Sequence, residues 1–428
     1  MRIVSLQPVR TTERGARCRP TVPLPSTAVT DRRRLTMDTP RFDKDALVEA
    51  AIVAAGSRDL GEDSWQEGLD YLLEDLDGPA RLNELGRTVA EADVIGYLTT
   101  RLKILEWRRS HPEVAEGSVT RPIVIIGQPR TGTTILYDLL AQDPANRAPL
   151  TWEVDQPVPP PETATFETDP RIAQSDAIAS MPDLIIPGFT DFHPLGARLA
   201  QECVRMTGGD FRSMIFPTQY DVPEYDRWLL HIADMAPAYR WHRIYLQHLQ
   251  SRHASDRWLL KSPAHLWCLA ALLDEYPDAL LIQTHRDPVR VISSISALAA
   301  LLRQMSSDHS SVQRAAEQYT EDILLGLDRS VAARQDGTIP AHQVVDVQFA
   351  EFMADPFATI GAVYDALGLT FTAAAEAAMR AFLATHPGDG GGGGTRYSFA
   401  DTGLDADLLR ERSREYQEFF DVPSEQIA

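Results

Sequence analysis

The sequence predicts a three-layer α/β fold with a mostly parallel central sheet, preceded by a helical N-terminal cap. Three observations predict it. Residues 122–127 (Pro-Ile-Val-Ile-Ile-Gly) form a continuous β-branched run, as expected of a strand buried on both faces of a parallel sheet. Further strand-like runs at Arg257–Lys261, Ala279–Thr284 and His342–Gln348 each lead toward a helix signal. Strands alternating with helices build a doubly wound parallel sheet. Ahead of them, from Asp43 to Ser110, apolar residues recur at helical spacing, as in Trp65, Leu69, Leu72 and Leu73, then Ile95, Leu98, Leu102 and Leu105.

The elements divide the chain into three stretches. Residues 1–36 carry eight Arg against one Glu and one Asp, with no hydrophobic period, and read as a disordered or non-native extension before Met37. Residues 37–118 form the helical cap. Residues 119–428 form the main domain, with an insertion at about 150–245 for a second substrate. Within that insertion the Pro-rich stretch 153–200 reads as irregular. A helix is expected from about Gly132 to Gln142. Asp355-Pro356 has the N-cap and first-turn chemistry of another, and a final helix starts near Asp405. The glycines 390–394 read as a loop.

Composition narrows the functional class. The 428 residues are 44% hydrophobic and 24% charged, ordinary values for a globular protein. A formal charge of −20 argues against a general nucleic-acid binder. No run of about eighteen apolar residues is present, so no membrane span is expected. Cys18, Cys203 and Cys268 lie far apart without CxxC spacing, which argues against a disulfide framework or a zinc site and fits a cytoplasmic protein.

The strongest motif is Gly127-Gln-Pro-Arg-Thr-Gly-Thr-Thr134, between a buried strand and a helix. It has the frame of a P-loop, GxxxxGK[ST], except that Thr133 stands in place of Lys. Gly132 lets the backbone approach a ligand, and the N–H groups of Thr131, Gly132, Thr133 and Thr134 open a helix that attracts anions. With Arg130 inside the loop and no Lys to reach a γ-phosphate, the site suits a shorter anion than a triphosphate.

Pro129-Arg-Thr-Gly-Thr-Thr134 resembles the phosphosulfate-binding loop of sulfotransferases that use PAPS (3′-phosphoadenosine 5′-phosphosulfate), in particular their bacterial branch. A second element matches independently. In that family a strand ends in Arg, and a Ser eight residues later joins it on the 3′-phosphate. Arg286 and Ser294 have that spacing here. The resemblance covers roughly residues 45–425, and it implies a P-loop-like sheet and a metal-free reaction whose product is PAP. Arg396, in the glycine-rich tail, is expected to close over the 3′-phosphate, although the His common two residues before Tyr397 is replaced by Thr395.

Sulfonate transfer needs a base for the acceptor's proton and cations near the bridging oxygen. The family's cationic Lys falls at Lys261, the end of a strand. His265 is the preferred base, four residues after Lys261 and one turn into a helix from Pro263. Glu202 is its rival, and Arg205, one turn on, has the spacing to partner it. Aromatic and apolar residues of 181–245, among them Ile185, Phe189, Phe211 and Trp241, would line a pocket for a small, partly apolar hydroxyl or amine acceptor. A P-loop kinase and a PAP-binding module without turnover are the alternative readings.

Overall fold

The computed structural model describes residues 41–181, 195–386 and 398–427. The N-terminal helices form where the spacing predicts them: α1 (Lys44–Ala55), α2 (Trp65–Leu76) and the long α3 (Glu84–Ser110). Asp43 and Asn83 cap α1 and α3 by accepting from Ala46 N and Gly86 N, which satisfies amides that the first turn leaves open. Their apolar faces enter one cluster with Phe211, Tyr225 and Trp228, and with Val289, Ile292 and Ile323 from later in the chain.

Among the described residues, five strands form one parallel sheet in the order β2-β3-β1-β4-β5. They are β1 (Ile123–Gly127), β2 (Asn146–Arg147), β3 (Arg257–Lys261), β4 (Leu280–His285) and β5 (Val344–Gln348). Alternate residues of each strand point to opposite faces, and the core divides accordingly. Val124, Ile126, Leu260 and Leu281 pack with Tyr239, Trp241, Leu246 and Leu269 on one side. Ile123, Ile125, Leu259, Leu280 and Ile282 pack with Leu136, Leu140, Ile360 and Met379 on the other. Helices therefore cover both faces, giving three layers around a sheet of P-loop-like topology.

Differences from the sequence reading are local. The strand expected at Ala279–Thr284 begins and ends one residue later, and β5 is shortened at its start by a 3₁₀ turn at Ala341–Gln343. The edge strand β2 was not foreseen. The stretch 153–200 is less irregular than its prolines imply. It contains a helix at Pro170–Ala179, where Pro170 sits in the first turn and Asp169 accepts from Arg171 N. Asp355 caps the helix Pro356–Ala366 through Ala358 N, as expected; Asp405 caps Ala406–Arg412, and a further helix, Arg414–Phe419, follows the one expected to be final. Residues 1–36, Ile185, Ile186, Phe189, Phe192, glycines 390–394, Thr395 and Arg396 lie outside the described residues.

Because β1 lies between β3 and β4, the turn leaving β1 is flanked by the ends of both. Ile125 pairs with Lys261, and Gly127 pairs with Thr284. Crevices outside the carboxyl ends of such strands are where open α/β sheets bind ligands.

Candidate active site

The turn after β1 is built from residues that tolerate little change. Gly127 has φ +143°, and a Cβ there would lie 2.1 Å from Thr284 Oγ1 and 2.9 Å from Thr284 O. Gly132 has φ +83°, and its Cβ would come within 3.0 Å of the Phe349 ring. Arg130 adopts φ +67°, a left-handed conformation that non-glycine residues seldom take. Thr131 braces the turn, donating its hydroxyl to Gln128 O at 2.6 Å and lying 2.6 Å from Thr284 Oγ1. Gly127→Ala is expected to destabilise the fold by about 3 kcal/mol or more, a loss that a thermal melt against the parent protein would register.

The turn delivers the chain into α4 (Thr133–Leu140), whose N-cap is Gly132 and which receives no side-chain capping hydrogen bond. Its first amides are therefore left to a ligand or solvent. Arg286, one residue past β4, donates NH1 to Arg130 O at 3.0 Å. Arg130 in turn donates Nε to Ser294 Oγ at 3.0 Å. The structure thus brings Arg130, Gly132, Arg286 and Ser294 into one cluster. The Arg286 guanidinium also stacks 3.9 Å from the centre of the Phe349 ring, the same ring that closes on Gly132. Phe349 was not among the expected residues, since nothing in its local pattern marks it.

On the other side of the turn, Lys261 is 2% exposed, and its Nζ donates to Thr134 Oγ1 at 3.3 Å. The same ammonium forms an ion pair with the Glu202 carboxylate, which is 28% exposed. A buried ammonium at a strand end needs such a partner. Glu202 is held in place through its neighbour: Tyr137 of α4 donates its hydroxyl to Gln201 O (3.1 Å) and Leu259 O (3.3 Å). Arg205, which has the spacing to partner Glu202, pairs instead with Asp155. Asp138 is a further residue that the sequence reading missed. Burial pushes its carboxyl up to about 6; Lys261 opposes that rise and Glu202 adds to it. Its position four residues after Thr134, on the same helix face, was the available signal.

His265 occupies a different environment. It sits in a 3₁₀ turn, Pro263–Trp267, rather than an α-helix, with Ser262 as the N-cap. Its Nδ1 is hydrogen-bonded to the Tyr239 hydroxyl at 2.7 Å, and its Nε2 is buried without a hydrogen-bond partner. Burial, with His242 adding to it, pushes the imidazole down to about 3. His265 lines a cavity with Val204, Met214, Leu229, Met235 and Trp267. Cys203 and Ser262, the neighbours in sequence of Glu202 and Lys261, line the same cavity.

The cluster has the chemistry of an anion site: three cationic side chains and an uncapped helix start around one turn, in a chain of net charge −20. Among the described residues no group of three or more His, Cys, Asp and Glu is arranged to hold a metal ion, and no helix is long and apolar enough to cross a membrane.

Comparison with known proteins gives one consistent result. Residues 122–373 match the profile of the sulfotransferase family. The fold is similar to the crystal structure of sulfotransferase STF9 from Mycobacterium avium (TM-score 0.81, 30% identity), over 91% of this chain and 100% of that one. It is likewise similar to sulfotransferase STF1 from Mycobacterium tuberculosis H37Rv (TM-score 0.77, 32% identity), over 87% of this chain and 98% of the other. In sequence it is 24% identical over 271 residues to the omega-hydroxy-beta-dihydromenaquinone-9 sulfotransferase Stf3 of Mycobacterium bovis, an alignment spanning 62% of this chain and 67% of that protein.

Proposed function

Since the chain belongs to the sulfotransferase family, we propose that it transfers a sulfonate group from PAPS to a hydroxyl of a small, partly apolar acceptor. The observation that carries this reading is the meeting of two separate strand ends on one helix start. Arg286 lies 3.0 Å from Arg130 O on one side, and Lys261 lies 3.3 Å from the Thr134 hydroxyl on the other. A nucleotide with phosphates at both ends calls for two such cradles. The cations fit the group: Lys261 and Arg286 each pair with a carboxylate, Glu202 and Glu425, so both side chains are presented to anionic oxygens at this turn.

PAPS supplies an activated sulfonate whose leaving group is a phosphate oxygen. In this reading the amides of Thr131–Thr134 hold the 5′ end, while Arg286, Ser294 and Arg396 serve the 3′-phosphate. Lys261 faces the bridging oxygen and offsets the charge that builds there as the S–O bond breaks. Glu202 takes the proton of the acceptor hydroxyl while the acceptor's oxygen forms the new bond to sulfur and the S–O bond to the phosphate breaks. Glu202 is favoured over His265 as this base because it touches Lys261 directly, whereas the imidazole is tied to Tyr239. His265 and the apolar cavity wall then receive the body of the acceptor. The acceptor class also accords with the hydroxylated, largely apolar compound in the name of the Stf3 relative.

Titration calorimetry with PAP and with ATP, each with and without Mg²⁺, tests the donor assignment. PAP is expected to bind equally well in both conditions, and ATP weakly in both. Binding of ATP that requires Mg²⁺, with none of PAP, would overturn the donor assignment and favour the kinase alternative. Turnover is then tested with isotopically labelled PAPS against hydroxylated apolar acceptors.

A further inference from the structure

The Arg286 guanidinium is engaged by a carboxylate from the C-terminal segment. Its Nε and NH2 donate to the two carboxylate oxygens of Glu425, at 2.8 and 3.1 Å. This two-pronged geometry is the one a guanidinium also offers to a phosphate. Glu425 does not reach it by chance of a loose side chain, since its backbone is pinned on both sides. Its N–H donates to Asp287 Oδ2 at 2.6 Å, and its carbonyl accepts from Arg410 NH2 at 2.9 Å. Arg410 also bridges to Asp287, with NH1 3.1 Å from Oδ2.

The segment before Glu425 is anchored to the same strand ends. The Tyr416 hydroxyl is hydrogen-bonded to His285 Nδ1 at 2.8 Å, and the Phe420 ring stacks on His285 with centroids 4.3 Å apart. Gln348 at the end of β5 donates to Phe420 O at 2.7 Å. The tail is therefore anchored to the strand ends at residues 416 and 420 and again, by two backbone hydrogen bonds, at Glu425, whose carboxylate is 32% exposed beside the nucleotide turn.

From this, and resting on the nucleotide reading above, we propose that Glu425 is an intramolecular competitor of the nucleotide's second phosphate. Its carboxylate takes up the Arg286 fork and has to leave before that phosphate is bound there. The tail thereby links nucleotide occupancy to a local release of residues 421–427, while the anchors at Tyr416 and Phe420 stay in place. A ligand lacking the second phosphate makes no demand on Arg286 and leaves the ion pair intact. The competition is selective for doubly phosphorylated ligands.

The test is Glu425→Gln, titrated calorimetrically with PAP and with adenosine 5′-monophosphate, which lacks the second phosphate. PAP affinity is expected to rise about five- to tenfold, the range between an exposed ion pair and a charge-assisted two-pronged bond. Affinity for the monophosphate is expected to change less than about twofold. Arg410→Ala, which loosens the tail backbone without touching the carboxylate, is expected to shift PAP binding in the same direction. Unchanged or weaker PAP binding by Glu425→Gln would overturn the proposal and make Glu425 a support for Arg286. An equal gain for both ligands would also overturn it, because the tail would then obstruct the whole site. If parent and variant alike fail to bind PAP while remaining folded, the nucleotide reading itself falls, and the competition with it.

Discussion

Lys261→Met is expected to lower kcat by about 10²–10³ while leaving PAP affinity within a few-fold of the parent. The size follows from losing one preorganised cation at a developing oxyanion, worth roughly 3–4 kcal/mol in a water-poor site. Methionine keeps the length of the side chain, which is 2% exposed and packs with its ammonium 5.6 Å from the Tyr137 ring centre. The Glu202 carboxylate left behind is 28% exposed and can be solvated, so the fold should survive. Single-turnover kinetics with saturating donor, alongside a PAP titration, checks both halves. A loss confined to PAP binding would reassign Lys261 to ground-state binding of the donor.

Glu202→Gln is expected to have an effect of similar size, a kcat lower by about 10²–10⁴, the usual worth of a positioned base. His265→Asn should cost less, within about tenfold. Burial holds the imidazole down to about 3, so it stays neutral across the working range and gains no charge on acidification to pH 5. A base that resists protonation so strongly is poorly matched to taking a hydroxyl proton. The two variants compared under one assay decide the roles, and a larger loss for His265→Asn would exchange them. Combining Glu202→Gln with Lys261→Met should cost less than the sum of the two, because the pair is in direct contact.

Much of the sheet was legible because buried parallel strands read as unbroken apolar runs, and β1 and β3 lie at or within one residue of the expected spans. The edge strand β2 was invisible. Asn146 and Arg147 are polar and only two residues long, and they join the sheet through pairing with Arg257 and Trp258 far along the chain. The prolines of 153–200 argued for irregular chain, yet Pro170 at a helix start stabilises the helix there.

Legibility at the candidate site followed the same division. Arg130–Thr134, Arg286 and Ser294 sit in contiguous motifs whose spacing carries their meaning. Phe349, Tyr137 and Glu425 act through contacts between distant segments; Glu425 lies 139 residues from Arg286. Such contacts leave no local period to read. Arg205 shows the limit of spacing arguments, since an i,i+3 relation to Glu202 permits a pair but Asp155 is the nearer acid in space.

The chain assembles its two halves from different stretches, and this bears on how new specificities could be engineered. The turn after β1, Lys261 and Arg286 come from three neighbouring strands of the sheet, whereas Glu202 and most of the cavity wall come from the excursion between β2 and β3. On the proposed function, a chimera that transplants that excursion from a relative is expected to import a foreign acceptor preference together with its own residue at the Glu202 position. The same reading predicts that PAP binding by the host turn, Lys261 and Arg286 survives the graft, provided the clasp of Tyr137 on Gln201 that docks the excursion to the sheet is preserved.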